Sequence, residues 1–385
     1  MYDIGTRREV HPEVTLQRLD GYWPVAGITR CADVTGLDVL NIPVFAAFTP
    51  NNPALQVCWG KGCIATNARV SALMEAVERS HVTAFESDIQ NASVTKVRKS
   101  GCKVVTPPEL QCFHADCYYD LDYTMDWAVA ESVEDGETSS CLIPVSAVYA
   151  AGQKMHSFTA NGLASANSPV EARNHGLYEI IERHVVSSCF NGSGTLMLKH
   201  NGTLLVDLEH CTSNLVAALY ESVSQAGACL RLFKLPSVMT RVSVFWAVII
   251  DEANPLAYIR ANVGYGAHLS AEIAALRAIT EAAQSRMVFL HGCREDMAHR
   301  MKQPNERNIE KVCKYFSSSF PTIEWEEIDH NYLGKKISND YDILSHELST
   351  AGFTTILHRE LESRIPSISV VKTIVPGTKI KEGIF

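Results

Sequence analysis

The sequence predicts an α/β protein of layered sheets and helices, on three observations. Apolar residues recur at helical period in three windows: 64–86, Ser168 to about Phe190, and roughly Ser270 to Leu290. Short runs rich in β-branched and aromatic residues alternate with them, at 41–48, 228–234 and 242–250. No low-complexity linker interrupts the 385 residues, so the chain reads as one unit over 1–385, with a lead-in at 1–26 and a core at 27–385.

Each element has its own signal. Gly27 to Arg30 and Asn41 to Phe48 are extended in character. Residues 103–150 alternate short extended runs with turn chemistry. Ser168-Pro169-Val170-Glu171 is a capping box with proline at the first helical position, a strong helix start. Val242 to Ile250 is the most apolar window, half the length a membrane helix needs, and reads as a buried strand. The tail from 300 mixes charged helical segments with strand-like Thr354–Leu357 and Ser367–Val371.

Composition narrows the class. Hydrophobic residues at 46% with 20% charged describe a globular chain. A net charge of −9 without any Lys/Arg run argues against sequence-independent nucleic-acid binding. The N-terminus leads into no apolar stretch and is not a signal peptide, so a cytoplasmic location is expected. The twelve cysteines lack paired spacings and read as free thiols; Cys112-Phe-His-Ala-Asp-Cys117 has ligand-like content but no second pair, and no zinc site is expected. Fourteen histidines form no HxH or HExxH pattern, which speaks against a metal-dependent hydrolase.

The chemistry lies on the three helices. Ser71-Ala-Leu-Met-Glu75-Ala-Val-Glu78-Arg79 resembles His175-Gly-Leu-Tyr-Glu179-Ile-Ile-Glu182-Arg183, and a third helix carries Arg277, Glu281 and Gln284 at a nearly equal interval along the chain. Positions i and i+3 share a helix face, so Glu75 and Glu78 point together, as do Glu179 and Glu182. Each helix is otherwise apolar, with one narrow polar stripe: Ser71/Glu75/Glu78, then Glu171/His175/Glu179/Glu182, then Ser270/Arg277/Glu281/Gln284. Either Glu-x-x-Glu-Arg motif alone reads more readily as ordinary i,i+4 ion pairing on a solvated face. Recurrence on three apolar helices favours a shared pocket, and glutamates converging there require cations, for which Mg²⁺ bound through carboxylates and phosphate oxygens fits. Glu171 either starts its helix or also serves that site. The glycine-rich stretches Trp59-Gly60-Lys61-Gly62-Cys63 and Gly264-Tyr-Gly266 match neither nucleotide-binding fingerprint and are read as turns.

Taken together, Gly60-Lys-Gly62, Ser71-x-x-x-Glu75-x-x-Glu78-Arg79, Asn161-Gly-Leu-Ala, Asn167, Glu171, Glu179-x-x-Glu182-Arg183, Gly264-x-Gly-Ala-His and Arg277-Ala-x-x-Glu281-Ala-x-Gln284-Ser-Arg286 resemble the YcaO superfamily. The resemblance implies a YcaO-type ATP-binding fold with three glutamate-bearing helices around the nucleotide, and ATP and Mg²⁺ as cofactors. It makes Glu75, Glu78, Glu179, Glu182 and Glu281 metal ligands. Lys61, Ser71, Asn167, Glu171, Arg183, Arg277, Gln284 and Arg286 become nucleotide contacts, with Arg277 and the five glutamates catalytic. Where the family often has serine, seven residues before Glu171, this chain has Ala164, with Ser165 beside it.

The implied activity is phosphorylation of a peptide or protein backbone amide on its oxygen. The single proline between Thr373 and Phe385 and the segment Gly27–Asp38 resemble the thioamidating branch that works with TfuA partners. Expected partners are therefore a substrate peptide, a TfuA-like protein and a sulfide source, with a homodimer compatible and neither nucleic acid nor membrane. No peptide-recognition domain is expected before Gly60. Two alternatives stand beside this: an azoline-forming cyclodehydratase of a ribosomal peptide natural product pathway, and a non-catalytic ATP-binding scaffold of a modification complex.

Overall fold

Strands and helices combine into three sheets with helices packed between them. This computed structural model of the protein describes residues 1–53, 55–82, 87–114, 119–134, 136–150, 155–189, 202–251, 261–292, 315–316, 320–328 and 330–380. The strands are β1 (Arg30–Asp33), β2 (Val44–Phe48), β3 (Val57–Lys61), β4 (Ile89–Ser93), β5 (Lys103–Val104), β6 (Thr124–Glu134), β7 (Glu137–Pro144), β8 (Leu163–Ala166), β9 (Leu204–Val206), β10 (Ala228–Lys234), β11 (Ser243–Asp251), β12 (Ala261–His268), β13 (Thr322–Ile323), β14 (Thr355–Leu361) and β15 (Ser369–Ile374). The helices are α1 (Pro12–Leu19), α2 (Ala65–His81), α3 (Val94–Lys99), α4 (Pro169–Cys189), α5 (Asn214–Gln225), α6 (Ala271–His291), α7 (Trp325–Ile328) and α8 (Ile337–Thr350).

The sheets run β1-β2-β3, β12-β11-β10-β9-β13, and β5-β7-β6-β14-β15-β8 with β4 added beside β6. β11 is buried at every position because both its faces are covered. Phe245, Ala247 and Ile249 pack under α6, and Trp246, Val248 and Ile250 join Phe233, Tyr265 and Phe316 on the other side. The expected helix over 64–86 forms as α2, with 83–86 outside the described residues; the window from Ser168 forms α4, ending at Cys189, and Phe190 lies outside them. Ser168 and Ser270 cap α4 and α6, their Oγ atoms accepting from the Glu171 and Ile273 N–H groups, and Gly292 ends α6 in the left-handed region.

One expectation is corrected here. Gly60 lies in β3, and Gly264 and Gly266 lie in β12; none of them makes a turn. Each is a glycine because a helix lies directly on the strand. A Cβ on Gly60 would enter the space of the Ala68 carbonyl and Ala72 amide of α2. On Gly264 it would meet the Ala278 carbonyl and the Ala282 amide of α6, and on Gly266 the Ala274 carbonyl. The lead-in forms α1, and Arg7 makes a buried ion pair with Asp340 of α8. No disulfide joins the described cysteines, and Cys117, of the cysteine cluster, lies outside them. No helix among the described residues is long and apolar enough to cross a membrane.

The close strand–helix contact makes a direct prediction. Gly264→Ala should destabilise the fold by about 2–4 kcal/mol in urea denaturation, because helix backbone cannot yield as a side-chain tip can. Gly36→Ala, where nothing lies within 4 Å of the added carbon, should stay within about 0.5 kcal/mol of the parent. Equal effects at both positions would refute this account of β12.

Candidate active site

Three of the sheets' terminal strands lead into the three glutamate helices: β3 into α2, β8 into α4, and β12 into α6. All three line one cavity of about 880 Å³, through Trp59 and Lys61, Leu163 and Ser165, and Asn262, Val263 and Tyr265. The weak internal repeat in the sequence is thus a repeated edge-strand–helix unit, and the cavity sits where the units meet. A terminal strand has unpaired backbone N–H groups on its outer side. Here such groups of β3 and β8, on Trp59 and Ser165, orient carboxylates.

Glu75 accepts the Trp59 N–H at 2.9 Å and Arg79 at 3.4 Å. Glu78 accepts both the N–H and the hydroxyl of Ser165, at 2.8 and 3.0 Å. Glu179 accepts the Gly162 N–H at 3.2 Å and Arg183 at 3.5 Å. Glu281 pairs with Lys61, and Arg183 lies 3.9 Å from Glu182. Arg277 stands 3.4 Å from the His175 Nδ1. The polar stripes of α2, α4 and α6 therefore all face inward, as their spacing demands.

Burial dominates the electrostatics. It pushes Glu78 up to about 8, against the Ser165 N–H and with the help of Glu75 and Glu179. Burial and the Glu281 carboxylate push Glu182 up to about 7. Burial also raises Glu281, but Lys61 and Arg183 outweigh it and the net shift is down. His175 is held well below its ordinary value by burial and then by Arg277, Arg8 and Lys61, so its imidazole is neutral. Glu78 thus feels the charges of Glu75 and Glu179, and Glu182 that of Glu281.

This donor set suits hard divalent cations. All five are oxygen ligands, and Glu182 Oε2 is buried with no hydrogen-bond partner. Among the described residues, no three of these carboxylates bring oxygens within 4.8 Å of one another; the single trio that close is the largely exposed Asp207, His210 and Glu324. The glutamates face each other across a space instead of closing on one point, which leaves coordination positions for a ligand's own oxygens.

The cavity gathers Lys61, Ser71, Glu75, Glu78, Asn167, Glu171, Glu179, Glu182, Arg183, Arg277, Glu281 and Gln284. Arg286 is the exception and corrects the expectation that it meets a nucleotide. It is not among the lining residues; its Nε bonds Asp38 at 2.9 Å and its guanidinium pairs with Asp251. Helix geometry explains this, since five residues beyond Glu281 is a rotation of about 140° away from the glutamate's face. Glu171 does more than start α4: it accepts the Glu9 N–H at 2.8 Å and lies 3.6 Å from Arg8. Asn167 is held by Thr15 and Arg18 of α1, at 3.1 and 3.0 Å. Ser165 alternates inward and Ala164 outward along β8, so the serine next to the expected position is the one on the cavity. Arg8, His175 and Asn262 also line it. Sequence reading missed Arg8 and Asn262, and for Arg8 the only local signal is the basic pair Arg7-Arg8 in an acidic chain.

Comparison with known proteins agrees with this geometry. An uncharacterized protein of Methanothermobacter thermautotrophicus is 29% identical over 382 residues, 96% of this chain and 94% of its own. An uncharacterized protein of Mycobacterium tuberculosis is 30% identical over 298 residues, 76% of this chain but 64% of that protein. One from Rhizobium leguminosarum bv. trifolii, named for its place in the tfuA 3′ region, is 28% identical over 385 residues, 97% and 89% of the two chains. Among solved structures, YcaO from Methanopyrus kandleri bound with AMPPCP and Mg²⁺ superposes with a TM-score of 0.75 at 21% identity, covering 98% of this chain and 94% of that one. A heterocyclase in complex with substrate and cofactor gives 0.78 at 20% identity, covering 97% and 53%. The family profile described as YcaO cyclodehydratase, ATP- and Mg²⁺-binding, matches residues 59–379. That span begins in β3, ends beyond β15 and takes in all three edge-strand–helix units; this chain belongs to the YcaO family.

Proposed function

We propose that this protein activates a peptide or protein backbone amide by transferring the γ-phosphoryl group of ATP to the amide oxygen, and that it does so for thioamide formation. The observation that carries the reading is the convergence of five glutamates from three helices, with Lys61, Arg183 and Arg277 among them, in one cavity of a chain of this family. Glu75, Glu78, Glu179, Glu182 and Glu281 would hold Mg²⁺, which when bound supplies charge neutralisation for the triphosphate.

The chain's own residues supply positioning and charge. Ser71, Asn167, Glu171 and Gln284 face the nucleotide; Asn167 Oδ1 is already taken by Thr15 and Arg18, so its amide NH₂ is the free donor. Lys61, Arg183 and Arg277 balance negative charge at the transferring phosphoryl group. A sulfide nucleophile adds to the amide carbon, its electron pair forming the C–S bond, and the C=O π pair moves onto the oxygen. That oxygen attacks the γ-phosphorus and ADP leaves. Phosphate then departs with the former carbonyl oxygen, the C–O bond breaks, and a proton is lost as C=S forms.

Thioamidation with a TfuA-like partner is supported by the Rhizobium relative's place in the tfuA 3′ region and by its match along nearly the whole chain. Azoline formation is the second reading, favoured by the family's cyclodehydratase description and by the likeness to a heterocyclase. There the nucleophile is a Cys, Ser or Thr side chain of the substrate.

Two experiments test these steps. Glu179→Gln and Glu281→Gln should each lower Mg²⁺-dependent ATP consumption at least about 100-fold while circular dichroism stays that of the parent. Consumption unchanged in both would remove the carboxylates from the site. Substrate carrying ¹⁸O at the modified carbonyl should deliver its label into phosphate, and mass spectrometry should find oxygen replaced by sulfur only when a sulfur source is supplied. A product that forms without sulfur and has lost water would assign the chain to azoline formation instead.

A further inference from the structure

β15 is a buried strand, Val370 to Ile374 being at most 7% exposed, yet its centre is Lys372, which is 2% exposed. A buried ammonium survives only where strong acceptors replace water. Lys372 Nζ donates to the Thr159 carbonyl at 2.7 Å and the Asn161 carbonyl at 2.8 Å, and lies 6.0 Å from the centre of the Phe158 ring. Those residues, with Ala160 between them, form one wall of the cavity, whereas Lys372 does not line it.

The wall continues directly into a carboxylate contact. Thr373, next to Lys372, donates its N–H to the Gly162 carbonyl at 2.7 Å. Gly162 itself sits at φ +74°, a left-handed conformation, and from there donates its N–H to Glu179 Oε2 at 3.2 Å. We propose that Lys372 is a positioning residue of the active site: from behind the wall it draws the Thr159 and Asn161 carbonyls away from the cavity and so sets the Gly162 N–H against Glu179. A wall free to turn would aim carbonyl dipoles at a space already holding five carboxylates, and would release the donor that fixes one of them. Burial lowers the lysine's pKa to about 8, with Glu179 the first charge opposing that shift; the ammonium form is thus the one present at neutral pH.

The inference rests on the reading of the cavity as a Mg²⁺–ATP site, and its test separates the two. Binding of a non-hydrolysable ATP analogue is measured by calorimetry across a Mg²⁺ titration. Lys372→Met should raise the half-saturating Mg²⁺ concentration about 10-fold, as loss of a group that orients a metal ligand does, and Lys372→Arg should recover most of it. In a Glu179→Gln background the same Lys372→Met change should shift it by less than about twofold, since the lysine acts through that carboxylate. An equal shift in both backgrounds, or none in either, would overturn the proposal by making Lys372 a core residue alone. If Lys372→Met does not fold, Lys372→Gln takes its place in the cycle, and failure of both to fold counts against the proposal. A parent protein that binds no analogue at any Mg²⁺ concentration would take down the reading of the site, and this inference with it.

Discussion

The structure depends on the cost of putting five carboxylates in one enclosed space. Each needs a donor or a cation, and the fold supplies the donors from backbone left unpaired. The Trp59 and Ser165 N–H groups belong to terminal strands, and that of Gly162 stands at the mouth of one; all three point at glutamates. Adding a strand beside β3 or β8 would satisfy the edge and orphan the carboxylate. These two open edges, an aggregation liability elsewhere, are thus turned inward and occupied, while Glu281 beside the third takes the Lys61 side chain instead.

Close packing follows from the same requirement. For β3 to reach Glu75 on the helix that follows it, α2 must lie almost on the strand, which Gly60 permits; Gly264 and Gly266 allow α6 the same close approach to β12. The pattern is strand–helix, three times, with a shared concave side. Lysine and arginine then complete the charge balance from one unit to the next: Lys61 of the first unit pairs with Glu281 of the third, and Arg277 of the third approaches His175 of the second.

What could be read from the sequence was what is local in it. The stripes on α2, α4 and α6 are set by a 3.6-residue period, and so the inward-facing glutamates were readable one helix at a time. Gly264 and Gly266 were misread because their cause, the backbone of α6, lies further along the chain and leaves no mark beside them. Arg286 was misplaced for the opposite reason: it shares a helix with Glu281, and proximity in sequence hid a rotation onto another face. Arg8 and Lys372 were missed because each meets its partners far away along the chain, Glu171 in one case and Thr159 and Asn161 in the other.

The pairing of Arg7 with Asp340, and of the 158–162 wall with Lys372, has a consequence for how the protein comes into being. A ribosome delivers the chain from the amino end, so the glutamates of α2 and α4 emerge long before the residues that brace them. During that interval the nascent chain holds its acidic side chains without Lys372 and with Arg7 still waiting for its mate. Synthesis thus times the appearance of the pocket: a polypeptide halted before β15 would carry the glutamates of α2, α4 and α6 without the strand that braces the wall between them.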